Sequence, residues 1–210
     1  MSKMIPDYSL YLVTDRIQLG RRDLAHSVEL AIQGGVTLVQ LREKSLSTRE
    51  FLDIAYEIKE ITARYNIPLL INDRLDIALA VDADGLHIGQ DDLPLPKAKE
   101  LFPDKIIGVS ASSLAEALLA AEQGADYLGV GAMYSTATKT DAKLVSLEEL
   151  ARIKKSVTIP VVAIGGINQQ NLQQLMAAKI DGVAIVSAIL AQNDIFQAAR
   201  DFQTLIKGNR

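Results

Sequence analysis

In QLREK, positions 40–44, Gln40, Arg42 and Lys44 recur at every second residue. Extended backbone would turn all three to one face. Two cations and an amide on an inward face are costly unless an anionic ligand meets them. Arg42 offers a planar fork for phosphate oxygens, and Lys44 a mobile point charge. The plainer reading is a rim strand whose Lys44 pairs with Glu43. Asp73 and Asp92 close two further apolar runs, with Asn72 beside the first. Two carboxylates, completed by water and phosphate oxygens, suit Mg²⁺, which keeps much of its hydration. Each has an alternative use, Asp73 as the N-cap of a following helix and Asp92 in the DDLP turn. Their pairing opposite QLREK favours the metal, because adjacent like charges call for a cation between them.

A second group of residues points to phosphate. TATKTDAK, positions 136–143, sets hydroxyls and cations directly after the apolar run YLGVGA. AIGGI and VSAI close two later runs with Gly165, Gly166 and Ser187. Glycine lets a phosphate approach the backbone closely, and barrel enzymes often bind phosphate at such ends. Two ordinary strand-ending glycines are the alternative. His87, inside GLHIG, reads as a buried polar group of the core, and His26 falls in a helical pattern. GVGAMY opens like a dinucleotide fingerprint but lacks the third glycine, and no GxxxxGK[ST] loop occurs.

These residues stand at the ends of eight short apolar runs, 9–15, 38–43, 68–73, 85–89, 106–111, 127–132, 160–166 and 182–187, read as strands. Amphipathic stretches lie between them. Leu24, Val28 and Ile32 mark a helix that Gly34 and Gly35 stop, and Ser47 or Thr48 with Glu50 resembles a capping box. The helix around LDIALAVDA is short. Eight strand-then-helix units without a linker predict a single α/β domain over 1–210, a (β/α)₈ TIM barrel with every helix outside. An open doubly wound sheet is the rival. In such barrels the chemistry sits at the C-terminal strand ends, where the polar residues above collect.

Composition agrees. Of 210 residues 49% are apolar but only 5% aromatic, so the core is aliphatic, as α/β layering requires. The chain has no cysteine, which removes thiol catalysis, Cys-bound zinc, iron–sulfur clusters and disulfides and suits a reducing cytoplasm. A net charge of −4 argues against a nucleic-acid surface. No apolar run approaches the ~20 residues of a membrane span. A cytoplasmic protein is expected; a homo-oligomer is left open.

QLREK, INDRLDIAL, ADGLHIGQDD, GVSAS, TATKTDA, AIGGI and VSAI occur in the order found in the thiamine phosphate synthase family, which the chain resembles over most of its length. The resemblance implies a (β/α)₈ barrel that joins hydroxymethylpyrimidine diphosphate to a thiazole phosphate and releases pyrophosphate. It implies that Gln40, Leu41, Arg42, Glu43, Lys44 and Asn72 hold the pyrimidine diphosphate. Asp73 and Asp92 would carry Mg²⁺, with Ser110 and Lys139 completing that site. Arg42, Lys44, Ser110 and Lys139 would act on the leaving group. Thr136, Ala137, Thr138, Gly166, Val186 and Ser187 would hold the thiazole phosphate. Substitution through a carbocation-like intermediate is expected, with the loop at 136–139 closing over both substrates.

Two departures from the family pattern, at three positions, matter. Ala132 and Ser135 replace prolines of the loop, leaving it less pre-set. Ser112 stands where many members, and the related thiazole tautomerases, have His. A tautomerase-like isomerase on the same fold, or a non-catalytic barrel that binds a phosphate ligand, are the alternatives. The first is weakened by Ser112, the second by the cost of gathering carboxylates and cations merely to bind.

Overall fold

The computed structural model describes residues 5–136 and 143–208. The apolar runs form β1 (Leu10–Val13), β2 (Leu38–Leu41), β3 (Leu69–Asn72), β4 (Gly85–Ile88), β5 (Ile106–Ala111), β6 (Tyr127–Val130), β7 (Val161–Ile164) and β8 (Gly182–Ile185). They pair in chain order, all parallel, and β8 returns to β1 to close the barrel. The expected (β/α)₈ architecture is therefore observed, and the open sheet is not. Between the strands run α1 (Arg16–Leu19), α2 (Leu24–Gln33), α3 (Thr48–Arg64), α4 (Leu75–Ala80), α5 (Leu95–Leu101), α6 (Leu114–Glu122), α7 (Leu147–Ser156) and α8 (Leu172–Met176). A single turn, α9 (Ser187–Leu190), and the closing helix α10 (Ile195–Gly208) follow β8.

Local chemistry sets the helix ends. Ser47 caps α3: its Oγ accepts from the Glu50 N–H, while the Glu50 carboxylate accepts from the Ser47 N–H at 3.0 Å. This reciprocal box satisfies two donors that the helix itself leaves unpaired. α2 stops at Gly34, and the chain turns away through Gly35 at φ 114°, a conformation in which a side chain would be strained. α7 carries Glu148 and Glu149 in its first turn and Lys154 and Lys155 in its last, matching charge to the helix dipole.

The period-two alternation of the strands sorts the apolar residues into two cores. Leu10 and Leu12 of β1 face outward into the layer shared with the helices. Tyr11 and Val13 join Leu38, Leu70, Ile106, Tyr127, Val162 and Ala184 inside the barrel. Space inside is made by glycine: a Cβ at Gly108 would lie 2.1 Å from the Tyr127 ring.

At the N-terminal end of the barrel a repeat appears that the sequence does not advertise. The residue just before each even-numbered strand accepts a hydrogen bond from an N–H at the start of the strand before it, the first residue of β1, β3 and β7 and the second of β5. Thr37 Oγ1 receives the Leu10 N–H at 3.1 Å, and Asp84 receives that of Leu69 at 2.8 Å. Asp126 receives that of Ile107 at 2.7 Å, and Asp181 that of Val161 at 2.6 Å. Lys59 and Lys154 offset the charges of Asp84 and Asp181. This end carries stability; the opposite end is left for loops.

Candidate active site

β2 ends at Leu41, two residues before the sequence run suggests, and this changes how QLREK is used. Gln40 is the last inward residue of the strand and is buried. Leu41 faces the outer core, so only its backbone can meet a substrate. Beyond the strand the side chains fan out along the rim instead of sharing one face. Arg42 leans toward β1, where Nη1 lies 3.0 Å from Asp15 Oδ2. Glu43 pairs with Arg16, not with Lys44. Lys44 reaches toward β3 and places Nζ 2.5 Å from Asp73 Oδ2. The cost of a half-buried Arg42 is therefore met by a carboxylate of the protein itself. Thr14 strengthens this corner, its Oγ1 accepting the Arg42 N–H at 2.9 Å.

Asp73 follows β3 in the left-handed region, φ 60°, and its N–H donates to the His87 carbonyl at 2.8 Å. It does not cap the next helix: the N-cap of α4 is Arg74, which makes no side-chain capping bond. Asn72 Nδ2 donates to Asp73 Oδ1 at 2.8 Å. Asp92 closes its turn by accepting the Gly89 N–H at 2.6 Å, so its use in the turn holds. Burial, and then the Asp73 carboxyl within hydrogen-bond reach, hold its own carboxyl above the usual range. Among the described residues no group of three or more His, Cys, Asp or Glu side chains could hold a metal. A cation here would rest on two carboxylates and on oxygens of water or substrate, a donor set that fits Mg²⁺ and not zinc.

Ser110 is inward and half-buried at the end of β5. Its Oγ lies 2.9 Å from His87 Nε2, and its carbonyl accepts from Gln90 Nε2 at 2.6 Å. His87 is buried, as the sequence suggests for a core polar group, but it is also directly below a site residue. Ser112 is committed elsewhere, since its N–H and hydroxyl both donate to Glu116 at the start of α6.

The second group of candidate residues lies across the barrel mouth. Gly165 and Gly166 follow β7 with φ of 100° and 65°, in the left-handed region that favours residues without a Cβ. A Cβ on Gly166 would come within 2.6 Å of the Ser135 carbonyl. Val186 and Ser187 begin the next turn on the neighbouring strand end. The chain after β6 packs on this glycine pair, with the Met133 N–H donating to Ile164 and the Tyr134 N–H to Gly165. Ala132 donates its N–H to the Lys143 carbonyl at 3.1 Å and accepts from Val145 at 2.8 Å. A proline at 132 could not make the first of these bonds. Thr136 is described and half-buried; Ala137, Thr138 and Lys139 lie outside the described residues.

Three contributors escape a reading of the sequence by motif. Asp15 anchors Arg42, and Tyr11 and Tyr127 carry hydrogen bonds beneath the site. For Tyr127 the available signal was a phenol at an inward strand position, facing Gly108 on the neighbouring strand.

The chain is a (β/α)₈ barrel with a carboxylate–lysine corner at the ends of β2–β4 and a glycine pair after β7. The family model described as thiamine monophosphate synthase matches residues 10–189. The chain is 58% identical over 204 residues to the thiamine-phosphate synthase of Clostridium acetobutylicum, covering 97% of each chain. It is 56% identical over 198 residues to that of Clostridium botulinum, covering 94% of this chain and 93% of the other. The structure of a thiamine phosphate pyrophosphorylase from Pyrococcus furiosus superposes with a TM-score of 0.91 at 40% identity, covering 97% of this chain and 98% of that one. The chain belongs to the thiamine monophosphate synthase family and is a transferase.

Proposed function

We propose that the protein joins 4-amino-2-methyl-5-hydroxymethylpyrimidine diphosphate to a thiazole phosphate, giving thiamine phosphate and pyrophosphate. The observation that carries the metal-assisted form of this reading is Asp73 beside Asp92, with Lys44 against the pair. Two adjacent carboxylates, one of them reluctant to ionise, form a place that a divalent cation neutralises. Mg²⁺ bound there would offset the charge of the diphosphate oxygens. Arg42 and Lys44 draw the same oxygens, and Ser110 donates its hydroxyl to them. Lys139 is assigned a third positive charge on family resemblance.

With that charge offset, the bond between the pyrimidine methylene and the diphosphate oxygen breaks, and its electron pair leaves with pyrophosphate. The amino-pyrimidine ring donates electron density to the methylene cation. The thiazole nitrogen then supplies a lone pair to the same carbon and closes the new C–N bond. Gln40 and Asn72, with the backbone of Leu41 and Glu43, position the pyrimidine. Thr136, Ala137, Thr138, Gly166, Val186 and Ser187 hold the thiazole phosphate, the glycine giving it close access to the backbone. No protein nucleophile enters, in keeping with a chain that has no cysteine. The reaction is placed in the cytoplasm as part of this proposal; among the described residues no helix is long and apolar enough to cross a membrane.

The test is an assay of pyrophosphate release. One pyrophosphate per thiamine phosphate is expected when both substrates and Mg²⁺ are present, and chelation should abolish it. Absence of the coupled product under those conditions would refute the reading. Turnover that survives chelation would refute the role of the metal.

A further inference from the structure

Beneath the site a chain of hydrogen bonds crosses the barrel interior from β2 to β5. Gln40 Nε2 donates to Tyr11 Oη at 2.6 Å. Tyr11 Oη and Tyr127 Oη are 2.8 Å apart, Tyr127 Oη is 2.7 Å from His87 Nδ1, and His87 Nε2 is 2.9 Å from Ser110 Oγ. Tyr11 and Tyr127 are almost fully buried. Burial drives both phenol pKa values far above their ordinary value, so each hydroxyl keeps a proton to donate. The arrangement has its own space. Besides Gly108 under the Tyr127 ring, Gly129 faces His87, where a Cβ would sit 3.0 Å from Cε1. The rings of Tyr127 and His87 are also in tilted contact, 5.5 Å between centroids.

The direction of the chain follows from its first donor. A Tyr11 oxygen that accepts from Gln40 turns its own proton to Tyr127. Tyr127 then donates to His87 Nδ1, which leaves the imidazole proton on Nε2. That proton goes to Ser110 Oγ, so the serine hydroxyl has its hydrogen free for the barrel mouth. An anionic ligand above Ser110 demands the same direction from the other end.

We propose that Tyr11, Tyr127 and His87 are positioning residues forming a one-way hydrogen-bond chain, which fixes the Ser110 hydroxyl as a donor toward the substrate. This rests on the reading that Ser110 meets the diphosphate. The same strand position serves the neighbouring corner, because the His87 carbonyl receives the Asp73 N–H. One buried residue thus orients both a hydroxyl and the backbone of a carboxylate.

The chain is tested without substrate by ¹⁵N-histidine NMR of the whole protein. There are two histidines, so His87→Gln assigns the signals by subtraction. His87 should be neutral with its proton on Nε2; a proton on Nδ1 overturns the proposal. In turnover, Tyr127→Phe keeps the ring but removes the hydroxyl, and should lower kcat about tenfold with KM within about twofold, the weight of one hydrogen bond. In a Ser110→Ala background the same change should add no further loss, whereas losses that multiply would show that Tyr127 does not act through Ser110. Should Tyr127→Phe fail to fold, His87→Gln against His87→Leu decides. Glutamine can still donate to Ser110 and should retain more activity; equal losses overturn the proposal. A wild type that makes no thiamine phosphate would sink the substrate reading alone, since the ring tautomer still decides the chain.

Discussion

Lys44 Nζ lies 2.5 Å from Asp73 Oδ2, and the Asp73 carboxyl is itself within hydrogen-bond reach of Asp92. The lysine supplies part of the positive charge that two adjacent carboxylates require. Lys44 is more than half exposed, so on the proposed reading it would be free to swing from the carboxylate to the diphosphate when a divalent cation occupies the pair.

Asp92→Asn keeps an acceptor for the Gly89 N–H and removes one of the two like charges. It should lower kcat by about a hundredfold or more through loss of metal-assisted charge stabilisation. Stability should move the other way. The folded Asp92 carboxyl has a raised pKa, so the folded state holds its proton to higher pH than the unfolded chain does. The resulting contribution is therefore full at low pH and is lost as pH rises through the folded value. Metal-free Asp92→Asn should melt above metal-free wild type at pH 7, with the gap closing on acidification. Added Mg²⁺ should raise the Tm of wild type and leave that of the variant unmoved. Calorimetry against pH, with and without Mg²⁺, checks both signs.

Asp15 accepts from the N–H groups of Ile17 and Gln18 while pairing with Arg42. An asparagine at this position cannot keep both the cap and the Arg42 contact through its one oxygen. Asp15→Asn should lower kcat/KM for the pyrimidine diphosphate about tenfold by loosening the guanidinium. Steady-state kinetics measures it, and unchanged kcat/KM would mean that Arg42 needs no anchor.

Asp84 sits at the opposite end of the barrel, where it accepts the Leu69 N–H and pairs with Lys59. Asp84→Ala strands a strand N–H and should cost about 1–3 kcal/mol of stability. For a chain of this size that lowers Tm by roughly 2–4 °C per kcal/mol. Turnover at 25 °C should be unchanged. A large loss of kcat without a loss of Tm would contradict the division of the barrel into a stability end and a chemistry end.

Ser112→His separates this protein from a proton-transferring isomerase. The Ser112 hydroxyl is bonded to Glu116 and not to any described residue of the site. The substitution should leave pyrophosphate release within about twofold of wild type, at the modest cost of a partly exposed hydrogen bond. Product analysis of the thiazole alone should show no isomerisation in either protein.

Much of this arrangement was legible in the chain. Alternating β-branched runs and amphipathic stretches, without a linker, pointed to a parallel α/β fold, because right-handed crossovers place helices outside the sheet, and the count of eight units favoured a closed barrel over an open sheet. That fold in turn assigned QLREK, Asp73, Asp92, Ser110 and the Gly165–Gly166 pair to one end, since strand order and direction fix which residues reach it. The capping box of Ser47 and Glu50 is local, and local chemistry can be read from sequence spacing. Partners across the barrel cannot. Arg42 and Lys44 looked alike two residues apart, yet the strand ends between Gln40 and Arg42 and sends one toward Asp15 and the other toward Asp73. Tyr11 and Tyr127 are 116 positions apart, and their shared hydrogen bond exists only because closing the barrel brings β1 and β6 face to face across its interior. The sequence determined which side chains could form a site; barrel closure and strand length decided which of them touch, because contact across a closed sheet is set by register and packing and leaves no period in the chain.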